Sequence, residues 1–147
     1  GTPNVLEYNC RFGDPETQPI MMRLKSDLAV LCNAAIDGRL DTVSADWDDR
    51  AALGIVMAAG GYPGSYDKGD PISGLPEDTE DAHVFHAGTA IQDGEVVTSG
   101  GRVLCVTALG ENVTAAQRRA YAVAEGISWK NAYYRRDIGH RAVAREQ

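Results

Sequence analysis

Two oxygen-bearing side chains near the start of the chain have a spacing that suits a metal ion. Glu7 and Asn9 lie in residues 4–10, where alternation and the β-favouring Val and Tyr predict a strand. Residues two apart in a strand point to the same face, so a carboxylate and an amide oxygen converge. Such oxygen ligands suit Mg²⁺, which completes its shell with phosphate and water. The alternative is a strand with a polar, solvent-facing side, and the spacing alone favours that alternative.

Charged residues follow this pair directly. The guanidinium of Arg11 is suited to bind a phosphate or carboxylate through two parallel hydrogen bonds. Asp14 and Glu16 sit just past Arg11, so the stretch concentrates both signs of charge beside the predicted metal pair.

A glycine-rich loop at residues 60–75 is a second candidate. Gly61 and Pro63 belong to a stretch that allows close backbone approach, and Lys68 offers a positive charge to a phosphate. The loop lacks the GxxxxGK[ST] pattern, so it is not a Walker-type phosphate loop. Without further information, a structural turn is the favoured interpretation.

The tail, residues 133–139, and the histidines are less specific indications of a site. Arg135 and Arg136 form either a phosphate clamp or part of an exposed cationic tail, and the sequence does not choose between them. His83 and His86 are three residues apart in a predicted strand, hence on opposite faces, which argues against a shared metal ion. We expect both histidines to pack or to hydrogen-bond.

Composition narrows the function classes. Fourteen basic and twenty-one acidic residues give a net charge of -7, which argues against a broad nucleic-acid surface. No apolar run reaches the roughly 20 residues needed to cross a bilayer, so a soluble, cytoplasmic protein without a membrane partner is expected. Cys10, Cys32 and Cys105 are odd in number and lack zinc-site spacing, which predicts reduced, mostly buried thiols.

The elements that must position these residues fall into two groups. Asp14 as N-cap and Pro15 at the first helical position predict a helix start, which Pro19 shifts or kinks. Apolar residues at helical spacing then predict one helix over residues 20–36, closed by Gly38. A strand followed by a helix is typical of the end of an α/β unit.

The second group follows a polar, acidic stretch at residues 40–49. We predict strands at 51–59, 83–89 and 101–110, a hairpin around Asp93-Gly94, and a helix over about 114–125 ending at Gly126. Several strands followed by a helix indicate an α+β module. The motif-dense start, without Met, leads us to expect a piece of a longer chain.

Six blocks, taken together and in order, resemble the phosphoribosylamine–glycine ligase (glycinamide ribonucleotide synthetase) family of the ATP-grasp superfamily. The resemblance spans essentially the whole chain. The blocks are VLEYNCRFGDPETQ at 5–18, GYPG at 61–64, VFHAGT at 84–89, GGRVL at 100–104, VTALG at 106–110 and RRDIG at 135–139.

The resemblance implies a fold and an activity. Residues 1–42 would be the end of an ATP-grasp domain, and residues 43–147 a C-terminal domain with an antiparallel sheet and a flanking helix. The family joins glycine to 5-phosphoribosylamine in de novo purine synthesis, using ATP with Mg²⁺ or Mn²⁺. Glycine is activated as glycyl phosphate, and the products are glycinamide ribonucleotide, ADP and phosphate.

The resemblance also implies roles for the candidate residues. Glu7 and Asn9 would be the metal ligands, and Arg11 would steady a phosphate or the glycyl carboxylate. Asp14 and Glu16 would bind the amine of glycine or of the sugar. A further set would meet the sugar phosphate in the substrate cleft. That set comprises Lys68, Arg135 and Arg136, with Gly61 and Pro63 in the adjoining loop.

The family's N-terminal and ATP-binding regions do not occur in this sequence. We therefore expect the 147-residue chain alone to bind ATP weakly and to lack ligase activity. Two alternatives stay open: another ATP-grasp ligase with a different amine or acid, and a binding or scaffolding module without turnover.

Overall fold

A computed structural model describes residues 4–5 and 11–146 and shows a mixed α and β fold. The two short helices α1 and α2 come first, followed by a 3₁₀ turn at Leu40–Thr42. Five strands and the helices α3 and α4 make up the rest of the described part of the chain. The bounds are α1 Thr17–Arg23, α2 Leu28–Ile36, β1 Ala51–Ala58, β2 Ala82–His86, β3 Thr89–Gln92, β4 Glu95–Thr98, β5 Arg102–Gly110, α3 Val113–Gly126 and α4 His140–Val143.

The core is a three-stranded antiparallel sheet in the order β1-β5-β2. Every residue of β5 after Arg102 is buried, because helices lie against the sheet. Helix α3 contributes Ala116, Ala120 and Ala124, which recur every four residues and are fully buried. Their small side chains allow a close approach to the sheet. The predicted antiparallel sheet with a flanking helix is confirmed.

Strands β3 and β4 form a separate two-stranded antiparallel hairpin. Its turn is Asp93-Gly94, with φ of 51° and 86°. Two successive positive φ angles match the right-handed twist of the flanking strands, which is why Asp-Gly favours this turn. The predicted hairpin is confirmed.

The single helix predicted over residues 20–36 is wrong. Leu24 is extended, with ψ of 114°, and it pairs with Trp47 in an isolated bridge, so α1 ends at Arg23. Helix α2 begins anew after Asp27, whose carboxylate accepts hydrogen bonds from the amides of Ala29 and Val30. The apolar spacing continues across this break, which is why periodicity alone suggested one helix.

The predicted helix start at Asp14 and Pro15 is also wrong. Glu16 is the N-cap of α1 and makes no capping bond with its side chain. Asp14 lies in the preceding turn, and its carboxylate forms an ion pair with Arg102. The predicted end of α2 is confirmed, since Gly38 follows the helix with φ of 69°.

The thiols divide into two environments. Cys105 is buried in β5, and burial raises the pKa of its thiol. Cys32 in α2 is exposed, so the expectation of burial is wrong for this thiol. Cys10 lies outside the described residues, as do Glu7, Asn9 and most of the predicted first strand. The domain boundary at residue 42 stays a prediction.

Candidate functional site

A cleft of about 500 Å³ brings together residues from four of the six sequence blocks. These blocks are distant in sequence, so their meeting at one place depends on the fold. The cleft has apolar walls, two arginines and three tyrosines at its surface. Its lining consists of Pro15, Gly54, Val56, Ala58, Tyr62, Arg102, Tyr133, Tyr134, Arg135 and Ile138.

The tail forms one wall and is held by backbone and side-chain bonds. Ala58 and Tyr133 exchange two backbone hydrogen bonds, of 2.7 and 3.0 Å, which dock the tail on the end of β1. The hydroxyl of Tyr121 in α3 donates to the carbonyl of Arg135 at 2.8 Å and accepts from the amide of Ile138 at 3.0 Å. The backbone around Arg135 is therefore fixed relative to the sheet.

Arg102 also lines the cleft and forms an ion pair that joins two sequence blocks. Arg102, the first residue of β5, places its Nε 3.2 Å from Oδ2 of Asp14. Its Nη1 also donates to the backbone carbonyl of Asp14 at 3.3 Å. The segment that follows Glu7 and Asn9 is thereby joined to the central strand of the sheet.

The glycine-rich loop contributes Tyr62 to the cleft. Gly61 has φ of 98°, a left-handed conformation that favours glycine, and Pro63 follows Tyr62 directly. Gly101 lies so close to the Tyr62 ring that a β-carbon there would overlap it. Gly61 and Pro63 thus shape the loop, and the side chain at the cleft is that of the residue between them.

The site residues predicted beside Glu7 and Asn9 are exposed. Nη1 of Arg11 donates to the carbonyl of Phe12 at 3.2 Å, a local bond that leaves most of the guanidinium open. Glu16 is exposed and makes no ion pair with a described residue. Asp14, by contrast, is bound to Arg102. These three side chains are therefore not equivalent.

The two tail arginines also differ. Arg135 lines the cleft, and its Nε and Nη2 donate to the two carboxylate oxygens of Asp137 at 2.8 and 2.7 Å. This pairing raises the pKa of Arg135 and lowers that of Asp137. Arg136 does not line the cleft. It pairs with Glu125 at 3.0 Å, and its guanidinium lies 4.6 Å from the centre of the Tyr134 ring.

Lys68 is exposed and makes no ion pair with a described residue. It lies in the same loop as Tyr62 but does not line the cleft. Its side chain is free to turn towards a ligand.

The histidines have local partners, as predicted. Nδ1 of His83 lies 2.9 Å from a carboxylate oxygen of Asp78, and Nδ1 of His86 lies 3.0 Å from the hydroxyl of Thr89. Within residues 4–5 and 11–146, no group of three His, Cys, Asp or Glu side chains is arranged to hold a metal ion. In the same part of the chain, no helix is long and apolar enough to cross a membrane.

Sequence reasoning missed the cleft residues Tyr62, Arg102, Tyr133 and Tyr134. Tyr62 and Arg102 lay within quoted blocks, so the signal was present although no role had been assigned to them. The two tail tyrosines immediately precede the RRDIG block. Their position at the cleft follows from the Ala58–Tyr133 pairing, which sequence spacing does not reveal.

A second charged network lies outside the cleft. The guanidinium of Arg50 binds the buried Asp48 through both carboxylate oxygens and reaches Asp81 at 2.6 Å. Hydrogen bonding to Arg50 holds the pKa of Asp48 far below its usual range, and the pKa of Arg50 is raised. Asp81 also pairs with Arg119 of α3 at 3.3 Å. This network joins the starts of β1 and β2 to α3, a structural role.

Comparison with known proteins shows which family shares this sequence. Residues 52–141 match the family model described as phosphoribosylglycinamide synthetase, C domain. The whole chain is 66% identical over 148 residues to the phosphoribosylamine–glycine ligase of Vibrio parahaemolyticus, and it covers 34% of that protein. It is 64% identical over 149 residues to the enzyme of the same name from Escherichia coli O157:H7, covering 35% of it.

A solved structure shares the fold. The crystal structure of phosphoribosylamine–glycine ligase from Thermotoga maritima matches with a TM-score of 0.73 and 39% identity. The match covers 92% of this chain and 33% of that chain. The chain therefore spans about a third of the length of the relatives that it matches.

Proposed function

The chain belongs to the phosphoribosylglycinamide synthetase C-domain family, and from that premise we propose that it is the C-terminal part of an ATP-dependent ligase. This ligase joins glycine to 5-phosphoribosylamine and gives glycinamide ribonucleotide, ADP and phosphate in de novo purine synthesis. The supporting observation is the 66% identity over the full chain to an enzyme of that name. The convergence of four sequence blocks on one cleft is consistent with a substrate site.

The reaction proceeds in two steps. A carboxylate oxygen of glycine attacks the γ-phosphorus of ATP, the bond to the β-phosphate oxygen breaks, and ADP leaves. The amine of 5-phosphoribosylamine then attacks the carbonyl carbon of glycyl phosphate, phosphate leaves, and the amine loses a proton. Both steps concentrate negative charge on phosphate oxygens. The chain therefore contributes cationic and hydrogen-bonding groups that are held at fixed positions.

Glu7 and Asn9 are the proposed ligands of Mg²⁺ or Mn²⁺. Their donor set of one carboxylate and one amide oxygen fits a hard divalent ion, but two ligands are too few for a tight site. The remaining ligands would come from ATP and from the N-terminal region of the ligase. When bound, the ion offsets charge on the ATP phosphates.

The described residues that follow have different proposed roles. Arg11 has donors free to bind a phosphate or the glycyl carboxylate. Glu16, exposed and unpaired with any described residue, is better placed than Asp14 to bind a substrate amine. Asp14 instead holds Arg102 at the edge of the cleft. This division refines the expectation that both carboxylates bind an amine.

The sugar phosphate is proposed to lie near the tail. Arg135 lines the cleft, whereas Lys68 and Arg136 lie outside it and would reach the phosphate by moving. The bidentate pair with Asp137 leaves one Nη group of Arg135 for a ligand. Tyr62, Tyr133 and Tyr134 supply aromatic walls beside it.

The proposal is tested with a fusion ligase. Residues 1–147 are joined to the N-terminal two-thirds of the Vibrio parahaemolyticus relative, and ADP release is measured with glycine and 5-phosphoribosylamine. We expect ADP release that requires both substrates and yields glycinamide ribonucleotide. Residues 1–147 alone should give no product and bind ATP weakly.

Three outcomes would contradict the proposal. ADP release driven by another amino acid or by bicarbonate, and not by glycine, would assign a different ligase. A folded fusion ligase without turnover would favour a binding or scaffolding module. Product formation by residues 1–147 alone would show that the rest of the enzyme is not needed.

A further inference from the structure

The segment that forms one wall of the cleft has no regular secondary structure of its own. Residues 134–139 lie between α3 and α4 and belong to neither a helix nor a strand. Three of them, Tyr134, Arg135 and Ile138, nevertheless line the cleft. Backbone groups outside helices and strands need other partners, and a segment that lacks them opens readily. The position of Arg135 therefore depends on what binds the backbone around it.

Two side chains of α3 supply these partners. Gln117 and Tyr121 are four residues apart and so lie on the same side of the helix. Nε2 of Gln117 donates to the carbonyl of Ile138 at 2.6 Å. The hydroxyl of Tyr121 donates to the carbonyl of Arg135 at 2.8 Å and accepts from the amide of Ile138 at 3.0 Å. We call Gln117 and Tyr121 the α3 anchor.

Tyr121 contacts three residues that line the cleft but does not line it itself. Its hydroxyl binds the backbone of Arg135 and Ile138, and its ring centre lies 6.2 Å from that of Tyr134. Because α3 packs on the sheet through buried alanines, Tyr121 fixes the tail relative to the sheet. The bidentate bond to Asp137 then orients the guanidinium of Arg135 on this fixed backbone.

We propose that Tyr121 is a positioning residue for substrate binding, whose hydroxyl holds residues 135–138 so that the Arg135 guanidinium is placed to bind the sugar phosphate. This inference rests on the proposed function, because it takes Arg135 as a ligand of that phosphate. Tyr121 acts by preorganising Arg135 and takes no part in either chemical step. Gln117 is the second member of the anchor, and its effect is smaller because it binds one backbone group where Tyr121 binds two.

Tyr121→Phe in the fusion ligase removes the hydroxyl and keeps the ring beside Tyr134. We expect KM for 5-phosphoribosylamine to rise about fivefold, while kcat, KM for glycine and KM for ATP stay within about twofold of the parent. The lost preorganisation weakens binding of one substrate, whereas the bound complex reacts as before. An unchanged KM for 5-phosphoribosylamine, or an equal rise in KM for all three substrates, would overturn the inference.

Thr79→Val is the matched control. The Thr79 hydroxyl also bridges two backbone groups, since it accepts from the amide of Ala82 at 3.0 Å and donates to the Ala82 carbonyl at 3.3 Å. Thr79 does not line the cleft. We expect both variants to unfold at a lower temperature than the parent, but Thr79→Val should keep every KM within about twofold. If it raised KM for 5-phosphoribosylamine as much as Tyr121→Phe does, general destabilisation would explain the effect and the inference would fail.

A double variant tests whether Tyr121 acts through Arg135. Once Arg135→Ala has removed the guanidinium, adding Tyr121→Phe should change KM for 5-phosphoribosylamine by less than about twofold. A further fivefold rise on the Arg135→Ala background would show that Tyr121 acts by another route, and it would contradict the inference.

Binding of ribose 5-phosphate separates this inference from the proposed function. Its Kd is measured by isothermal titration calorimetry, without turnover, for the parent fusion ligase and for Tyr121→Phe. We expect about fivefold weaker binding to the variant. If the parent showed this difference but no glycine-dependent ADP release, the proposed function would be rejected and the positioning role kept. Equal Kd values, or no binding to the parent, would reject the positioning role, and glycine-dependent turnover by the parent would still support the proposed function.

Discussion

Asp14 and Arg102, 88 residues apart in sequence, are joined by an ion pair and a backbone contact. Nε of Arg102 lies 3.2 Å from the Asp14 carboxylate, and Nη1 donates to the Asp14 carbonyl at 3.3 Å. Arg102 therefore recognises both the side chain and the backbone of this turn. Arg11 and Glu16, which are proposed to bind substrate groups, flank Asp14, so their position relative to the cleft depends on this link.

The first prediction concerns Arg102→Ala in the fusion ligase. Both side chains are about 40% exposed, so the change should cost less than about 1 kcal/mol in the free energy of unfolding. We expect kcat/KM for glycine to fall about tenfold, because displacement of the 11–16 segment disturbs substrate alignment. Steady-state kinetics measure kcat/KM for glycine, and thermal unfolding measures the change in stability.

A double-mutant cycle with Asp14→Ala identifies the cause. If the pair acts as a unit, the double variant should lose little more activity than Arg102→Ala alone. Arg39→Ala, which breaks the exposed pair with Asp37 at 3.0 Å, is the matched control and should keep full activity. Additive losses at Asp14 and Arg102 would show that the two residues act separately.

The second prediction concerns Gly101, which packs on the ring of Tyr62. In Gly101→Ala the new methyl group overlaps that ring, so the side chain of Tyr62 must shift from its present position at the cleft. We expect a loss of about 1–3 kcal/mol in stability together with a higher KM for 5-phosphoribosylamine.

Gly126→Ala is the control for this change. Gly126 ends α3 and has open space where a β-carbon would stand, so alanine there should stabilise the helix by up to about 1 kcal/mol. Chemical denaturation of both variants measures the difference. An unchanged KM in a folded Gly101→Ala enzyme would separate Tyr62 from substrate binding.

Much of this fold follows from local sequence. The Asp93-Gly94 turn, the buried run of β5 and the Asn112 cap of α3 are each encoded within a few residues. The break between α1 and α2 was also encoded, since Asp27 is a good N-cap, but continuous apolar spacing concealed it. The Asp27 cap and the pairing of Leu24 with Trp47 end α1 and start α2, although the apolar spacing continues.

The cleft could be predicted only in part. Four of the sequence blocks contribute residues to the cleft, and Arg135 lines it, while its predicted role in binding the sugar phosphate stays a prediction. The pairing of Asp14 with Arg102 and the position of Tyr133 beside Ala58 depend on tertiary packing between segments at least 75 residues apart. No spacing rule within one helix or strand contains that information.

The third prediction concerns the proposed metal ligands. In the fusion ligase, Glu7→Ala and Asn9→Ala should each raise the Mg²⁺ concentration for half-maximal rate at least about tenfold, because each removes one oxygen ligand. The rate is titrated with Mg²⁺ at saturating ATP. Glu95→Ala removes an exposed carboxylate in the hairpin and should leave the titration unchanged. Unaltered Mg²⁺ dependence in both test variants would exclude direct ligation.

The fourth prediction separates the two tail arginines. Arg135 lines the cleft and Arg136 is held by Glu125 and Tyr134, so Arg135→Ala should raise KM for 5-phosphoribosylamine about tenfold or more. Arg136→Ala should raise it by less than about threefold. The KM for ATP serves as an internal reference and should stay within about twofold. A larger effect at Arg136 would place the sugar phosphate on the other side of the tail.

The fifth prediction follows from a carboxylate near the chain's end. Glu146 accepts hydrogen bonds from the amides of Val113 and Thr114, at 2.6 and 3.0 Å, and from the Thr114 hydroxyl at 2.7 Å. These amides belong to the first turn of α3, where unpaired donors and the helix dipole favour a negative charge. The bonds to Thr114 and Val113 lower the pKa of Glu146 from its ordinary value of 4.5.

A lowered pKa fixes the sign of the pH dependence. The folded state binds the proton less readily than the unfolded state, so the contribution of Glu146 to stability is fully present above about pH 4.5. That contribution declines as the pH falls through the folded-state pKa. Glu146→Gln should therefore unfold at a lower temperature than the parent at pH 7, and the difference should shrink as the pH drops below 4. Thermal unfolding of residues 1–147 across this range measures it.

Glu125→Gln is the control for the fifth prediction. Glu125 pairs with Arg136 on the surface, with both side chains at least 60% exposed, so its contribution should be small at every pH. If Glu146→Gln and Glu125→Gln gave the same pH profile, the bonds to the α3 amides would have no stabilising role. A pH-dependent loss confined to Glu146→Gln would show that the end of the chain caps the helix whose tyrosine, Tyr121, holds the tail at the cleft. The stability contributed by Glu146 and the shape of the cleft would then be linked through one helix.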